Sequence, residues 1–333
     1  MKQIVYIVTA KNQSIEVWEL LQNGTMYLKQ IINTNFQEGQ PLVILKKKKK
    51  IYIGVRPNYK ILVYDILIDG TLKQIGSSTI PYSPNYLSCD DEEKFLFCGY
   101  YHAGCMSMSQ INKYHLPNKL IQIINNIQGC HSVNINDFNK CIYVPSLLSN
   151  RIYLYYIHNI KKKNITLKLL EYVQCKDNSG PRHMAIHSNK KYLYSVNELN
   201  GSIDVWKIDK QNMCIINIQN ISLFKKQNVS QQAWSADIHI TSCGKYLYAS
   251  DRLHNTITGF HIFNNKLELI DQFHTCAEPK SFCIDKNDKY LICAGQKSNT
   301  IILYNIVKHN GSLNQLFEYK VGKQPTWISI NTL

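Results

Sequence analysis

The sequence predicts an all-β fold, a seven-bladed β-propeller whose ring is closed by pairing of the N- and C-terminal strands. Three observations carry that expectation. A short aromatic-rich strand motif recurs along the 333 residues, a second strand of alternating character follows most copies, and the last copy lacks partners that the first supplies.

Taken in chain order, Ile4-Val5-Tyr6-Ile7-Val8 opens the series and is followed by Ser14-Ile15-Glu16-Val17-Trp18. Lys50-Ile51-Tyr52-Ile53 comes next with Lys60-Ile61-Leu62-Val63-Tyr64, then Glu93-Lys94-Phe95-Leu96-Phe97, then Lys140-Cys141-Ile142-Tyr143 with Arg151-Ile152-Tyr153-Leu154-Tyr155. The three sharpest copies are Asn189-Lys190-Lys191-Tyr192-Leu193-Tyr194-Ser195, Cys243-Gly244-Lys245-Tyr246-Leu247-Tyr248-Ala249 and Asn287-Asp288-Lys289-Tyr290-Leu291-Ile292-Cys293. Their second strands begin at Ser202, Thr256 and Thr300. Apolar residues at every other position are the strand signature, and the polar turn ending in Lys marks the hairpin between strands. Seven copies at a spacing of about 44–54 residues match the propeller period, whereas a β-helix needs a far shorter repeat. No Trp-Asp or Gly-His signature occurs, which disfavours the WD40 variety. Pro325-Thr326-Trp327-Ile328-Ser329-Ile330 reads as the first strand of a blade whose other strands lie at the N-terminus. Such closure hides edges that would otherwise pair with other chains. Residues 1–333 are therefore expected to form one domain.

Composition narrows the function. Hydrophobic residues make up 44% and charged ones 18%, the balance of a packed protein rather than a disordered one. No apolar run is long enough to span a membrane or serve as a signal peptide, so no membrane partner is expected. Eleven Cys without any C-x-x-C, and no His/Cys cluster at zinc spacing, predict no disulfide framework and no metal, and fit a reducing cytoplasm. The formal charge of +15 permits nucleic acid as a partner, but heavy use of Ile, Lys, Asn and Tyr points to compositional bias. The Lys46 to Lys50 run falls in the hairpin slot, so an exposed turn is expected and no nucleic-acid contact.

The repeat register also locates a site. The anchors Ile53, Phe97, Tyr143, Tyr194, Tyr248 and Ile292 occupy equivalent positions in the inner hairpins. Counting back to the start of each first strand gives Pro41, Asn85, His131, Arg182, Ala236 and Lys280, and counting forward past each hairpin gives Pro57, Tyr101, Leu147, Glu198, Arg252 and Gln296. Arg56 and Lys297 lie beside that second ring. In a propeller these positions share one mouth of the central channel, and convergent polar groups in a concavity mark a site. A carboxylate or imidazole there can take a proton from water, and guanidinium groups can hold a phosphate or an oxyanion. The cationic excess predicts an anionic substrate. No Gly-x-Ser-x-Gly elbow, Walker sequence or Gly-x-Gly-x-x-Gly is present, so neither a serine triad nor a nucleotide cofactor has support, and no cofactor is expected.

The segments Gly54-Val55-Arg56-Pro57, Gly129-Cys130-His131-Ser132, Gly180-Pro181-Arg182-His183-Met184, Val196-Asn197-Glu198-Leu199-Asn200, Trp234 to Ile240, Asp251-Arg252 and Ala294-Gly295-Gln296-Lys297-Ser298 carry a resemblance. They resemble the family of propeller-type 6-phosphogluconolactonases of enteric bacteria, which also contains the fungal muconate-lactonising cycloisomerases, and the likeness covers essentially the whole chain. The resemblance implies a hydrolase of the oxidative pentose phosphate pathway that opens 6-phospho-D-glucono-1,5-lactone to 6-phosphogluconate without metal. In the cycloisomerase branch the proposed catalytic set of a His, a Glu and two Arg matches His131, Glu198, Arg182 and Arg252. On this footing Glu198 or His131 activates water and Arg182 stabilises the oxyanion. Arg252, Arg56, Lys297, Gln296 and His183 are expected to bind the phosphorylated sugar lactone, in a monomer. Two alternatives stand beside this one: a muconate-type lactonising cycloisomerase, and a non-catalytic propeller scaffold.

Overall fold

The computed structural model describes residues 2–333 apart from 37, 39, 139, 159–164 and 226–231. Among the described residues the strands form seven four-stranded antiparallel sheets, the blades of the propeller. Blade 1 takes its inner strand, Pro325–Thr332, from the C-terminus and its other strands, Gln3–Thr9, Ser14–Leu20 and Met26–Asn33, from the N-terminus. The seam runs from Gln3 opposite Thr332 to Thr9 opposite Pro325, so the expected closure is present. Blades 2 to 7 follow in sequence, with inner strands Leu42–Leu45, Tyr86–Cys89, Asn134–Asn136, Pro181–Ile186, Ser235–Ile240 and Pro279–Ile284 packed side by side around the axis.

Packing between blades explains why the second strands read as unbroken apolar runs. In blade 5, Leu193 joins Tyr143 and Leu154 of blade 4, while its neighbours Tyr194 and Val196 join Leu247 and Phe260 of blade 6. Successive side chains point to opposite faces of a sheet, and here both faces are core. Seven such clusters, one per interface, complete the ring, the last uniting Val5, Ile7 and Trp18 of blade 1 with Ile292 and Leu303 of blade 7. The outermost strands are largely exposed beyond a buried first residue.

The recurring hairpin motif has a local cause. Asp285 Oδ1 accepts hydrogen bonds from the amides of Lys289 and Tyr290 at 2.7 and 2.6 Å, and Asp90 does the same for Lys94 and Phe95. One residue per turn adopts a positive φ, among them Lys49, Lys190, Gly244 and Asp288, and only the glycine does so without steric cost. Lys46–Lys49 is such a turn, and Lys50 opens the next strand. The Glu93 carboxylate accepts the amides of Lys47 and Lys48 at 2.8 and 2.9 Å, and Lys50 pairs with Asp65 at 2.8 Å. The lysine run is therefore a surface turn tied to the adjoining blade.

Candidate functional site

Two features of the blades aim side chains into one mouth of the channel. The first is a β-bulge at the start of several inner strands. Pairing shifts between Pro181 and His183, between Pro279 and Ser281, and opposite the Val8–Thr9 step, which leaves Arg182, Lys280 and Thr326 outside the ladder. A bulge re-aims the extra residue, and all three line the pocket. The second feature is the first residue beyond each second strand, where Arg56, Tyr101, Glu198 and Arg252 stand. Together with Asn85, His131, His183, Trp234 and Trp327 they enclose a cavity of about 230 Å³.

Glu198 is the hub. Its Oε2 forms ion pairs with Arg182 Nε at 2.8 Å and with Arg252 at 3.0 Å, and the three side chains are only 15%, 3% and 6% exposed. Each guanidinium is braced on backbone: Arg182 donates to the Ala236 carbonyl, and Arg252 Nε donates to the Trp234 carbonyl at 3.1 Å while its plane lies 3.8 Å from the Trp234 ring. Arg182 Nη2 and Arg252 Nη1 have no protein partner among the described residues.

The remaining cations differ. Arg56 donates to the Pro84 carbonyl at 2.7 Å and to Asn85 Oδ1 at 3.0 Å, and neither it nor Lys280 has an ion-pair partner among the described residues. Burial, then the charges of Arg182, Arg252 and Arg56, lower the Lys280 ammonium to about 7, with Glu198 pulling weakly the other way. Burial and Arg182 also lower Arg252, to about 9. The pocket is thus built around more positive charge than its one carboxylate offsets, an arrangement suited to an anion.

Two histidines complete the wall, with ring centroids 5.0 Å apart. His131 Nδ1 lies 3.2 Å from Asn85 Nδ2 and His183 Nδ1 lies 2.8 Å from Asp237 Oδ1. Burial, reinforced by Arg182, keeps both imidazoles neutral, His131 well below the ordinary range and His183 at about 4. His183, Ser281 and Trp327 also border a second cavity of about 540 Å³ at the other mouth, so they form the floor between the two. Among the described residues no group of three or more His, Cys, Asp or Glu is placed to hold a metal ion.

His131, Arg182, Glu198, Arg252, Arg56 and His183 are brought together as the sequence suggested. Gln296 and Lys297 are not. Both lie in a separate depression with Lys11, Glu278, Asn299, Lys323 and Gln324, because the pocket wall at blades 7 and 1 is supplied by Lys280, Ser281, Thr326 and Trp327. Gln296 and Lys297 are the first and second residues beyond their strand, and in this blade neither reaches the pocket, although the first such residue does in four other blades. Lys280 falls on the sequence register but was not among the expected binding residues, and Asp237 lay within a quoted segment with no sign of its contact to His183.

The profile of the family "Lactonase, 7-bladed beta-propeller" matches residues 4–330. The chain belongs to that family. It is 44% identical over 333 residues to a 6-phosphogluconolactonase of Buchnera aphidicola from Schizaphis graminum, covering 99% of each chain. A 6-phosphogluconolactonase of Erwinia tasmaniensis is 37% identical with full coverage of both. Among solved structures, the periplasmic gluconolactonase PpgL of Pseudomonas aeruginosa superposes with a TM-score of 0.90 at 16% identity, covering 100% of this chain and 99% of that one, a likeness of fold.

Proposed function

We propose that the chain hydrolyses 6-phospho-D-glucono-1,5-lactone to 6-phosphogluconate, as its full-length relatives are named for doing. The observation that carries this reading at the site is the division of the pocket's cations. Arg182 and Arg252 are clamped on Glu198, whereas Arg56 and Lys280 are unpaired among the described residues. The unpaired pair holds the phosphate dianion, and the clamped pair, each with a spare guanidinium nitrogen, faces the lactone carbonyl. Arg252 then belongs with Arg182 at the reacting end rather than with the phosphate ligands. Rigid donors at a developing oxyanion stabilise it without reorganisation, typically worth 10²–10³ in rate per donor. Glu198 serves to fix both guanidiniums, since its Oε2 is engaged by both.

The substrate on this reading is a small phosphorylated sugar lactone, and the enzyme acts as a monomer with no nucleic-acid partner. None of the eleven cysteines is joined in a disulfide, which supports the reducing cytoplasm as its location. Decay of the phosphorylated lactone, corrected for spontaneous hydrolysis, tests the reading. Acceleration that is lost with unphosphorylated gluconolactone is the expected result, and equal rates with muconolactone would favour the cycloisomerase instead.

A further inference from the structure

His183 Nε2 is buried and has no hydrogen-bond partner among the described residues, although its side chain, 7% exposed, lines the pocket. An unpartnered buried nitrogen costs stability unless a ligand or water satisfies it. The other ring nitrogen is held firmly. Asp237 Oδ1 sits 2.8 Å from Nδ1, and the carboxylate is itself fixed by the amide of Ile238 at 3.0 Å, the amide of Phe282 at 3.2 Å and His239 Nε2 at 3.2 Å. Burial works against its charge, yet His239 and His183 keep the Asp237 carboxyl well below the usual carboxylate range. An ionised carboxylate only accepts, so Nδ1 carries the proton and Nε2 presents a lone pair.

His131 has the opposite polarity. The Asn85 amide is oriented because its Oδ1 accepts from Arg56 at 3.0 Å, which leaves Nδ2 to donate to His131 Nδ1 and to the His131 carbonyl, both at 3.2 Å. Nδ1 therefore accepts, and the His131 proton resides on Nε2. The two imidazoles stand 5.0 Å apart, one set as an acceptor and the other as a donor.

We propose that His183, oriented by Asp237, is the proton acceptor that activates water in this pocket, with His131 as a hydrogen-bond donor to the substrate. The assignment rests on the lactonase reading. Water attacks the lactone carbonyl carbon and its proton passes to His183 Nε2, while the carbonyl electron pair moves onto oxygen beside the guanidiniums. Collapse restores the carbonyl and breaks the bond to the ring oxygen, which receives the proton back from His183. The carboxylic acid so formed releases one proton to solvent, and the imidazole returns neutral. Glu198 is thereby relieved of the role of base and left as the clamp.

His183→Ala, checked for folding by circular dichroism, is expected to lose about 10²–10⁴ in kcat with KM within about threefold, and to regain turnover when imidazole is added. His183→Gln serves where the alanine variant folds poorly, with the same loss. Asp237→Asn, whose amide can donate to Nδ1 and move the proton to Nε2, lowers kcat in the same direction without rescue by imidazole. Nitrogen-15 NMR of the wild-type protein is expected to report a proton on Nδ1 of His183 and on Nε2 of His131. A His183→Ala or His183→Gln enzyme with near-wild-type kcat, a loss confined to KM, or a proton on His183 Nε2 overturns the assignment while leaving the lactonase reading intact. A wild-type protein that does not speed lactone decay overturns both.

Discussion

Replacing Lys280 by Met should make the protein more stable and a worse binder of its phosphorylated substrate. The ammonium is ringed by Arg56, Arg182 and Arg252, with Glu198 the one carboxylate facing it, and burial together with those charges lowers it from 10.5 to about 7. That displacement corresponds to a ceiling of about 5 kcal/mol, and the open side of the pocket reduces it to about 3–4 kcal/mol. The sign follows from linkage. Between pH 7 and 10.5 the folded protein binds fewer protons at this site than the unfolded chain, so stability rises with pH across that window. The penalty is complete below pH 7 and absent above 10.5. Methionine removes it, and for a chain of this size about 2 °C per kcal/mol predicts a Tm higher by roughly 6–8 °C at pH 6.5. The gain should shrink toward zero as pH approaches 10.5. Scanning calorimetry of both proteins at several pH values measures it. In parallel, KM for the phosphorylated lactone should rise at least about tenfold at pH 6.5, as expected for loss of a charged contact worth 1.5–3 kcal/mol. Wild-type KM should itself rise above pH 7 as the amine deprotonates. Equal Tm values at pH 6.5, or a gap that persists unchanged to pH 10, would refute the argument that the pocket holds this cation at a cost.

Glu198→Gln removes the carboxylate shared by two buried guanidiniums, so unfolding should become easier by about 3–5 kcal/mol, seen as a shifted urea midpoint, alongside a fall in kcat. Arg56→Ala should raise KM for the phosphorylated lactone by about 10- to 100-fold, read by steady-state kinetics. A smaller drop in kcat is also expected, because Arg56 orients Asn85. Glu93→Ala frees the amides of Lys47 and Lys48 and should cost about 1–3 kcal/mol in thermal unfolding while kcat and KM stay at wild-type values.

The blade architecture was legible because both faces of each second strand are core. Tyr192-Leu193-Tyr194 and its counterparts cannot vary toward polarity, and a turn of constant length precedes them, pinned by Asp90 in one blade, Thr241 in another and Asp285 in a third. Constant spacing carried over to Arg182, Glu198 and Arg252, which sit where a strand begins with a bulge or has just ended. It misled at Gln296 and Lys297, because at blades 7 and 1 the wall is supplied by the inner strands, through Lys280, Ser281, Thr326 and Trp327. The pairing of His183 with Asp237 joins residues 54 positions apart in neighbouring blades, and no local pattern encodes it. Nor does a sequence reveal which nitrogen of an imidazole holds the proton, because Asn85 and Arg56 decide that from two other blades.

The seam in blade 1 has a consequence for how the protein comes into being. The strands from Gln3 onward leave the ribosome before the other six blades, yet their inner neighbour, Pro325–Thr332, is made after those blades, so Gln3–Thr9 waits with an unpaired edge while all six are synthesised. The half-core at Val5 and Ile7 stays exposed until Ile292 and Leu303, which complete it, have been made. Exposed apolar faces and open strand edges are what nascent chains lose to aggregation, which makes the interval before the final strand the vulnerable one. Because Thr326 and Trp327 arrive with that strand and form part of the pocket wall, the intact binding pocket exists only once the ring has shut. Appearance of turnover during translation would therefore time closure itself.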